Sequence, residues 1–107
     1  MKLFQIQDIL MQMGQNAQEN WNLIDLSDKK WLWIHLKSFP SGHIVIQCEN
    51  PSGQLIQEAG KICKEYSKYK NLYNIKISYC RVGNLIKGED KGSVLFKSNK
   101  KVKEFSL

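Results

Sequence analysis

Leu32-Trp33-Ile34-His35-Leu36-Lys37-Ser38-Phe39-Pro40-Ser41-Gly42-His43-Ile44-Val45-Ile46 is the stretch that decides the fold. Its first part, from Trp31 to Leu36, is apolar almost throughout and reads as a strand. Ser38-Phe39-Pro40-Ser41-Gly42 is turn chemistry, because proline presets φ and glycine tolerates φ > 0. His43 to Cys48 returns with β-branched Ile44, Val45 and Ile46 at its centre. The two runs form a β-hairpin. Pairing them puts Leu32, Ile34, Leu36, Ile44 and Ile46 on one aliphatic face. The opposite face carries Trp31, Trp33 and His35 beside His43, Val45 and Gln47.

Downstream of the hairpin, Asn50-Pro51 looks like an N-cap followed by proline at the first helical position. The helix is expected over about residues 51–69. Leu55, Ile56, Ala59, Ile62, Cys63 and Tyr66 form its apolar stripe. Tyr73 to Cys80 alternates as a strand with Ile75 and Ile77 on one face, and Ser93–Lys97 with Lys101–Ser106 reads as a final hairpin. Upstream, Lys2–Met13 suits two short strands around Gln7-Asp8, and Asn16–Leu26 a short N-terminal helix. Strands, one long helix, then strands again predict an α+β fold, a mainly antiparallel sheet packed against that helix.

The chain has 107 residues, 42% hydrophobic and 24% charged. That suits one soluble domain over residues 1–107 and excludes a disordered tail, a collagen-like rod or a membrane bundle. Polar residues interrupt Met1–Asp8 too early for a signal-peptide core, and no apolar run reaches membrane-spanning length, so a cytoplasmic protein with no membrane partner is expected. Cys48, Cys63 and Cys80 are odd in number and far apart, which fits neither a disulfide framework nor a zinc site. No P-loop, dinucleotide fingerprint or Ser-His-Asp pattern is present. Neither metal nor cofactor is expected, and nothing specifies an enzyme.

Sixteen basic residues oppose ten acidic ones, a formal net charge of +6. Twelve of the bases and only four of the acids lie from Lys61 onward. So concentrated an excess favours an anionic partner. Arg81 is the single arginine; the lysines supply point charges without the bidentate fork that reads phosphates and guanine edges. The aromatic and imidazole face of the hairpin has two readings: tryptophans packed in the core, or a surface that stacks an unpaired base.

The hairpin, with Leu32-Trp33-Ile34-His35 followed by Pro40-Ser41-Gly42-His43 and an aliphatic run, resembles the signature of the NFACT-R domain family. Gly14-Gln15-Asn16-Ala17-Gln18-Glu19-Asn20 resembles its Gly-x-Asn-x-x-x-Asn element. Glu58-Ala59 and Tyr66-Ser67 fall where its helix has similar residues, and Ile86-Lys87-Gly88-Glu89-Asp90-Lys91-Gly92-Ser93-Val94 is similar to its lysine-rich loop and following strand. The sequence departs from the pattern at Trp31, Ile34 and Gln47, and carries Glu89 and Asp90 in a shortened loop.

The resemblance implies an RNA-binding module in its stand-alone form, related to domains of ribosome-associated quality-control factors. Its expected partner is rRNA or tRNA, with the ribosome as context. Lys87, Lys91, Lys97, Lys100 and Lys101, with Arg81 and Lys37, are the candidates for phosphate contacts. His35, His43, Asn16 and Asn20 would form the more specific patch. An RNA-modifying enzyme or its accessory subunit, using His35 and His43, is the alternative, and a protein–protein adaptor is the second.

Overall fold

The computed structural model describes Met1–Leu107. The elements are β1 (Lys2–Ile6), β2 (Ile9–Met13), α1 (Ala17–Leu26), β3 (Leu32–Leu36), β4 (Ile44–Ile46), α2 (Gly53–Glu65), β5 (Lys76–Arg81), β6 (Leu85–Lys87), β7 (Val94–Phe96) and β8 (Lys103–Ser106). Six strands form one sheet in the order β1-β2-β4-β3-β5-β8, while β6 and β7 pair as a separate ribbon. Every pairing is antiparallel. The protein is α+β, with a mainly antiparallel sheet and two helices.

The hairpin register matches the sequence expectation: Leu32 faces Ile46, Trp33 faces Val45 and Ile34 faces Ile44. Its strands are central in the sheet and buried on both faces. On one side Leu32, Ile34, Leu36, Ile44 and Ile46 meet Leu55, Ala59 and Cys63 of α2, with Met11 and Met13 of β2. On the other, Trp33 and Val45 pack with Leu23 of α1, Cys80, Val82 and Leu85. Trp33 is 1% exposed, so the core reading of this tryptophan holds. The turn between β1 and β2 has Gln7 and Asp8 both at positive φ, as a two-residue hairpin of primed type requires.

Several expectations change. Helix α2 is capped by Ser52, whose side chain accepts from the Leu55 N–H at 3.2 Å, and not by Asn50, whose Oδ1 is taken by Arg81. It stops at Glu65 because the Ser67 hydroxyl donates to the Lys64 carbonyl at 2.6 Å and accepts from the Tyr69 N–H. Ser67 thus competes for groups that a longer helix would use. The two helices are therefore 13 and 10 residues long, not one long and one short. The strand after α2 begins at Lys76, because Asn74 sits at φ 57° and Tyr73 is 90% exposed.

The final hairpin does not form. β7 pairs with β6, and β8 pairs with β5 on the edge of the large sheet. Asn84 explains the split, because its Nδ2 donates to the Ser98 carbonyl at 2.9 Å and its Oδ1 accepts from the Ser98 N–H at 3.0 Å. That clamp ties the end of β7 to the start of β6, and the chain leaves it through a short 3-10 turn at Asn99–Lys101.

Helix α1 is seated on the hairpin by a small lock. Asn16 caps it, accepting from the Glu19 N–H at 2.9 Å. One turn on, the buried Asn20 accepts the N–H of His43 at 3.1 Å through Oδ1. Gly14 donates its own N–H to the His43 carbonyl at 3.0 Å. A Cβ at Gly14 would stand 2.4 Å from Asn20 Oδ1, so this approach requires glycine. Replacing Asn20 with Ala leaves the His43 N–H buried without an acceptor, at a cost of about 1–3 kcal/mol. Urea unfolding should show that loss; an unchanged midpoint would mean that the lock contributes nothing.

Candidate functional site

Two concave surfaces carry most of the candidate residues, one on each side of β7. The first is a cleft of about 830 Å³ at the turn end of the hairpin. Trp33 and His35 of β3, His43 just before β4, and Phe96 of β7 form its floor. Trp33 stacks on His35 with ring centroids 5.6 Å apart, His35 meets His43 edge-on at 4.8 Å, and Phe96 packs edge-on against Trp33 at 5.7 Å. His35 is half-buried, whereas His43 is 3% exposed. Two buried polar atoms here, Trp33 Nε1 and His43 Nδ1, have no hydrogen-bond partner in the protein.

Burial sets the chemistry of the histidines. It pushes His35 down from 6.5 to about 4, against the opposing effect of hydrogen bonds with the Ser41 and Leu36 backbones. It pushes His43 down to about 3, and the neighbouring His35 adds to the effect. Both imidazoles are neutral at pH 7, each with one donor and one acceptor nitrogen. They offer a flat surface and hydrogen-bonding edges but no charge.

The charge stands at the rim. Lys37, Lys68 and Lys91 line the opening, and no Asp or Glu does. Lys37 is bound to Glu104 at 2.7 Å, while Lys68 and Lys91 form no salt bridge. Asn16 and Asn20 also line the cleft, yet both amide oxygens are committed to the lock on α1.

The second surface is a groove of about 720 Å³ beyond β7. It exists because β8 pairs with β5 only as far as Tyr79, which leaves the Cys80–Arg81 edge of β5 uncovered. Lys97, Lys100 and Lys101 line it together with Arg81, Lys29 and Lys103, and no carboxylate does. None of its five lysines is within salt-bridge distance of an acid. Arg81 is different. Its guanidinium donates to the carbonyls of Lys30 and Glu49 and to Asn50 Oδ1, so it staples three segments together and has little capacity left for a ligand.

The candidates thus separate. His35, His43, Lys37, Lys91, Asn16 and Asn20 gather at the cleft, and Arg81, Lys97, Lys100 and Lys101 at the groove. Lys87 joins neither: it is bound to Asp25 at 2.7 Å and lies over the Trp21 ring at 5.4 Å. Lys29, Lys68 and Lys103 were not singled out from the sequence. Lys29 belongs to an acidic stretch and reaches the groove through a tertiary contact, the Gly83 N–H donating to its carbonyl at 2.9 Å. Only the residue type could have pointed to it.

Comparison with known proteins fits this geometry. The Rqc2 homolog RqcH of Bacillus subtilis (strain 168) is 29% identical over 89 residues, covering 80% of this chain and 16% of the relative. The C-terminal part of the fibronectin/fibrinogen-binding protein from Streptococcus suis has the same fold, with a TM-score of 0.88 at 22% identity over 99% of this chain and 44% of that one. The chain therefore spans less than half the length of either. The sequence model of the NFACT protein RNA binding domain matches residues 2–103, which takes in the hairpin, the α1 lock, both helices and the β6–β7 ribbon. On that match the chain belongs to the NFACT RNA-binding domain family.

Proposed function

We propose that this chain is an RNA-binding module that holds structured RNA, rRNA or tRNA, in the context of ribosome quality control. The observation that carries the reading is the lysine groove. Five ammonium groups with no acid among them form a surface whose natural counter-charge is a run of phosphates. Membership of the NFACT RNA-binding domain family supports the ligand class, and similarity to RqcH supports the ribosomal context. Residues 1–107 act as one domain in this reading.

The neutral histidines weigh against the enzymatic alternative. General acid–base work near pH 7 is most efficient with a pKa near the operating pH, whereas these groups titrate at about 4 and 3. They suit a binding surface better than a proton-transfer centre.

Four to six phosphate contacts should make the affinity for an rRNA or tRNA fragment fall with a log–log salt slope of about −3 to −4. Changing both Lys100 and Lys101 to Gln removes two of the groove charges. It should flatten the slope by about 1.4 while leaving the melting temperature unchanged, because neither lysine holds another element in place. A slope near zero in the parent protein would refute the reading.

The histidines give a separate prediction. Between pH 6 and 8 their charge does not change, so RNA affinity should be flat across that range. Below pH 6.5 the unfolded chain takes up protons that the folded chain refuses. Stability should therefore fall as the pH drops from 6.5 toward 4, by up to about 1.4 kcal/mol per pH unit for each histidine. Proton NMR titration of the two imidazoles checks the cause directly; midpoints near 6.5 would contradict it.

A further inference from the structure

We infer that the histidine cleft is a subsite for one unpaired nucleobase, which stacks on the His35 imidazole while its phosphate meets the ammonium groups of Lys68 and Lys91. The inference rests on the RNA-binding reading and narrows it, from RNA as a polyanion to RNA that presents a base outside a helix.

The two concave surfaces differ in a way that assigns them different parts of a nucleotide. The groove has lysines and, apart from Tyr79, no aromatic ring, so it suits phosphates and carries no means of engaging a base. The cleft reverses this. Trp33, His35, His43 and Phe96 lie in one continuous cluster with centroid separations of 4.8 to 5.7 Å. Of the two imidazoles, His35 keeps the more exposed surface. A base stacked on an aromatic side chain gains enough to hold it without any sequence preference.

The polar features fit a base edge better than an anion. Neutral imidazoles cannot neutralise a phosphate, but they present a donor and an acceptor, the complement of a base edge. Trp33 Nε1 and His43 Nδ1 lie buried beneath the same floor without a partner in the protein. Charge is confined to the rim, where Lys68 and Lys91 have no acidic partner. A volume of about 830 Å³ lies within the range of small-ligand sites, roughly 300–1,000 Å³.

The rim is also held in place. Gly92 sits at φ 86° with its Cα so close to helix α1 that an added Cβ would stand 2.8 Å from the Ala17 Cα. Trp21 donates its indole N–H to the Ser93 carbonyl at 2.9 Å, and Gly88 and Ser93 close the loop with a backbone bond of 2.9 Å. Lys91 therefore stands on a pinned loop opposite the Ser38–Gly42 turn. Stacked bases within a helix hide both their faces, so only a bulged, looped or terminal nucleotide can enter such a site.

The test compares three RNAs against the full chain: a blunt duplex, the same duplex with one bulged nucleotide, and the bulged duplex with an abasic residue as the bulge, the last two matched in length and charge. The bulged RNA should bind about tenfold more tightly than the other two. His35→Ala should abolish the difference and His35→Phe should retain it, while neither alters affinity for the blunt duplex. Equal affinity for all three RNAs overturns the base subsite, whatever the variants do. If that binding still shows the steep salt slope, the lysine groove and the RNA-binding reading stand without the subsite. Loss of salt-dependent binding to every RNA overturns both.

Discussion

The rest of the molecule depends on a hairpin that has no solvent face. Ile34 and Ile44 on one side and Trp33 and Val45 on the other are all 1% exposed or less. A strand pair buried on both faces needs a layer on each, and the two layers are unlike. Helix α2 meets the aliphatic side, a regular surface that suits its stripe of Leu55, Ala59 and Cys63. The side that carries Trp33 is bulkier and polar at one end. It is covered piecemeal, by α1 at one edge and by the small β6–β7 ribbon at the other. The cleft lies at the turn end of the hairpin, lined by both of these pieces.

That arrangement explains why the histidines are as they are. They belong to the hairpin, so the packing that buries Trp33 also draws His35 and His43 into an apolar setting and lowers both pKa values. The backbone N–H of His43 is buried for the same reason and needs an acceptor, which Asn20 supplies from α1. The Gly14–Asn16–Asn20 spacing is thus a docking device between helix and hairpin. From sequence these asparagines looked like candidates for the binding patch. In the fold their oxygens are already committed, Asn16 to the cap of α1 and Asn20 to the His43 N–H.

Much of this was legible in the residues alone, and particular residues show where legibility ended. Alternation tells which face a side chain takes, and it places Leu32, Ile34, Ile44 and Ile46 on the helix-covered side and Trp33 on the other, as the fold has them. It does not tell which strand lies alongside. Val94–Phe96 has the same local pattern whether it pairs with β8 or β6, and the choice is made by Asn84, whose clamp on Ser98 is a tertiary event. The start of α2 failed for a similar reason. Asn50 is a good cap in isolation, but Arg81 holds its side chain, and Ser52 takes over two residues later. Charge was the hardest to place. Arg81 is among the phosphate candidates in the sequence, yet the fork geometry that would suit a phosphate lets it bridge Lys30, Glu49 and Asn50.

The division between cleft and groove follows from one short strand. Phe96 of β7 turns its ring into the cleft, and the next residue, Lys97, lines the groove. Lys97 is the first residue beyond β7, so one short segment supplies an aromatic to one surface and an ammonium to the other. The Asn84 clamp fixes that segment just beyond Lys97, with the Lys97 N–H donating to the Asn84 carbonyl at 2.9 Å. Phosphate contacts place a nucleic acid without reading it, and contacts to a base add the selection. In this fold, a net charge of +6 on a small domain does not spread into an indiscriminate cationic surface. Lys37 and Lys87 are held by Glu104 and Asp25, and among the unpaired lysines of the groove Lys97 directly follows Phe96 of the aromatic floor.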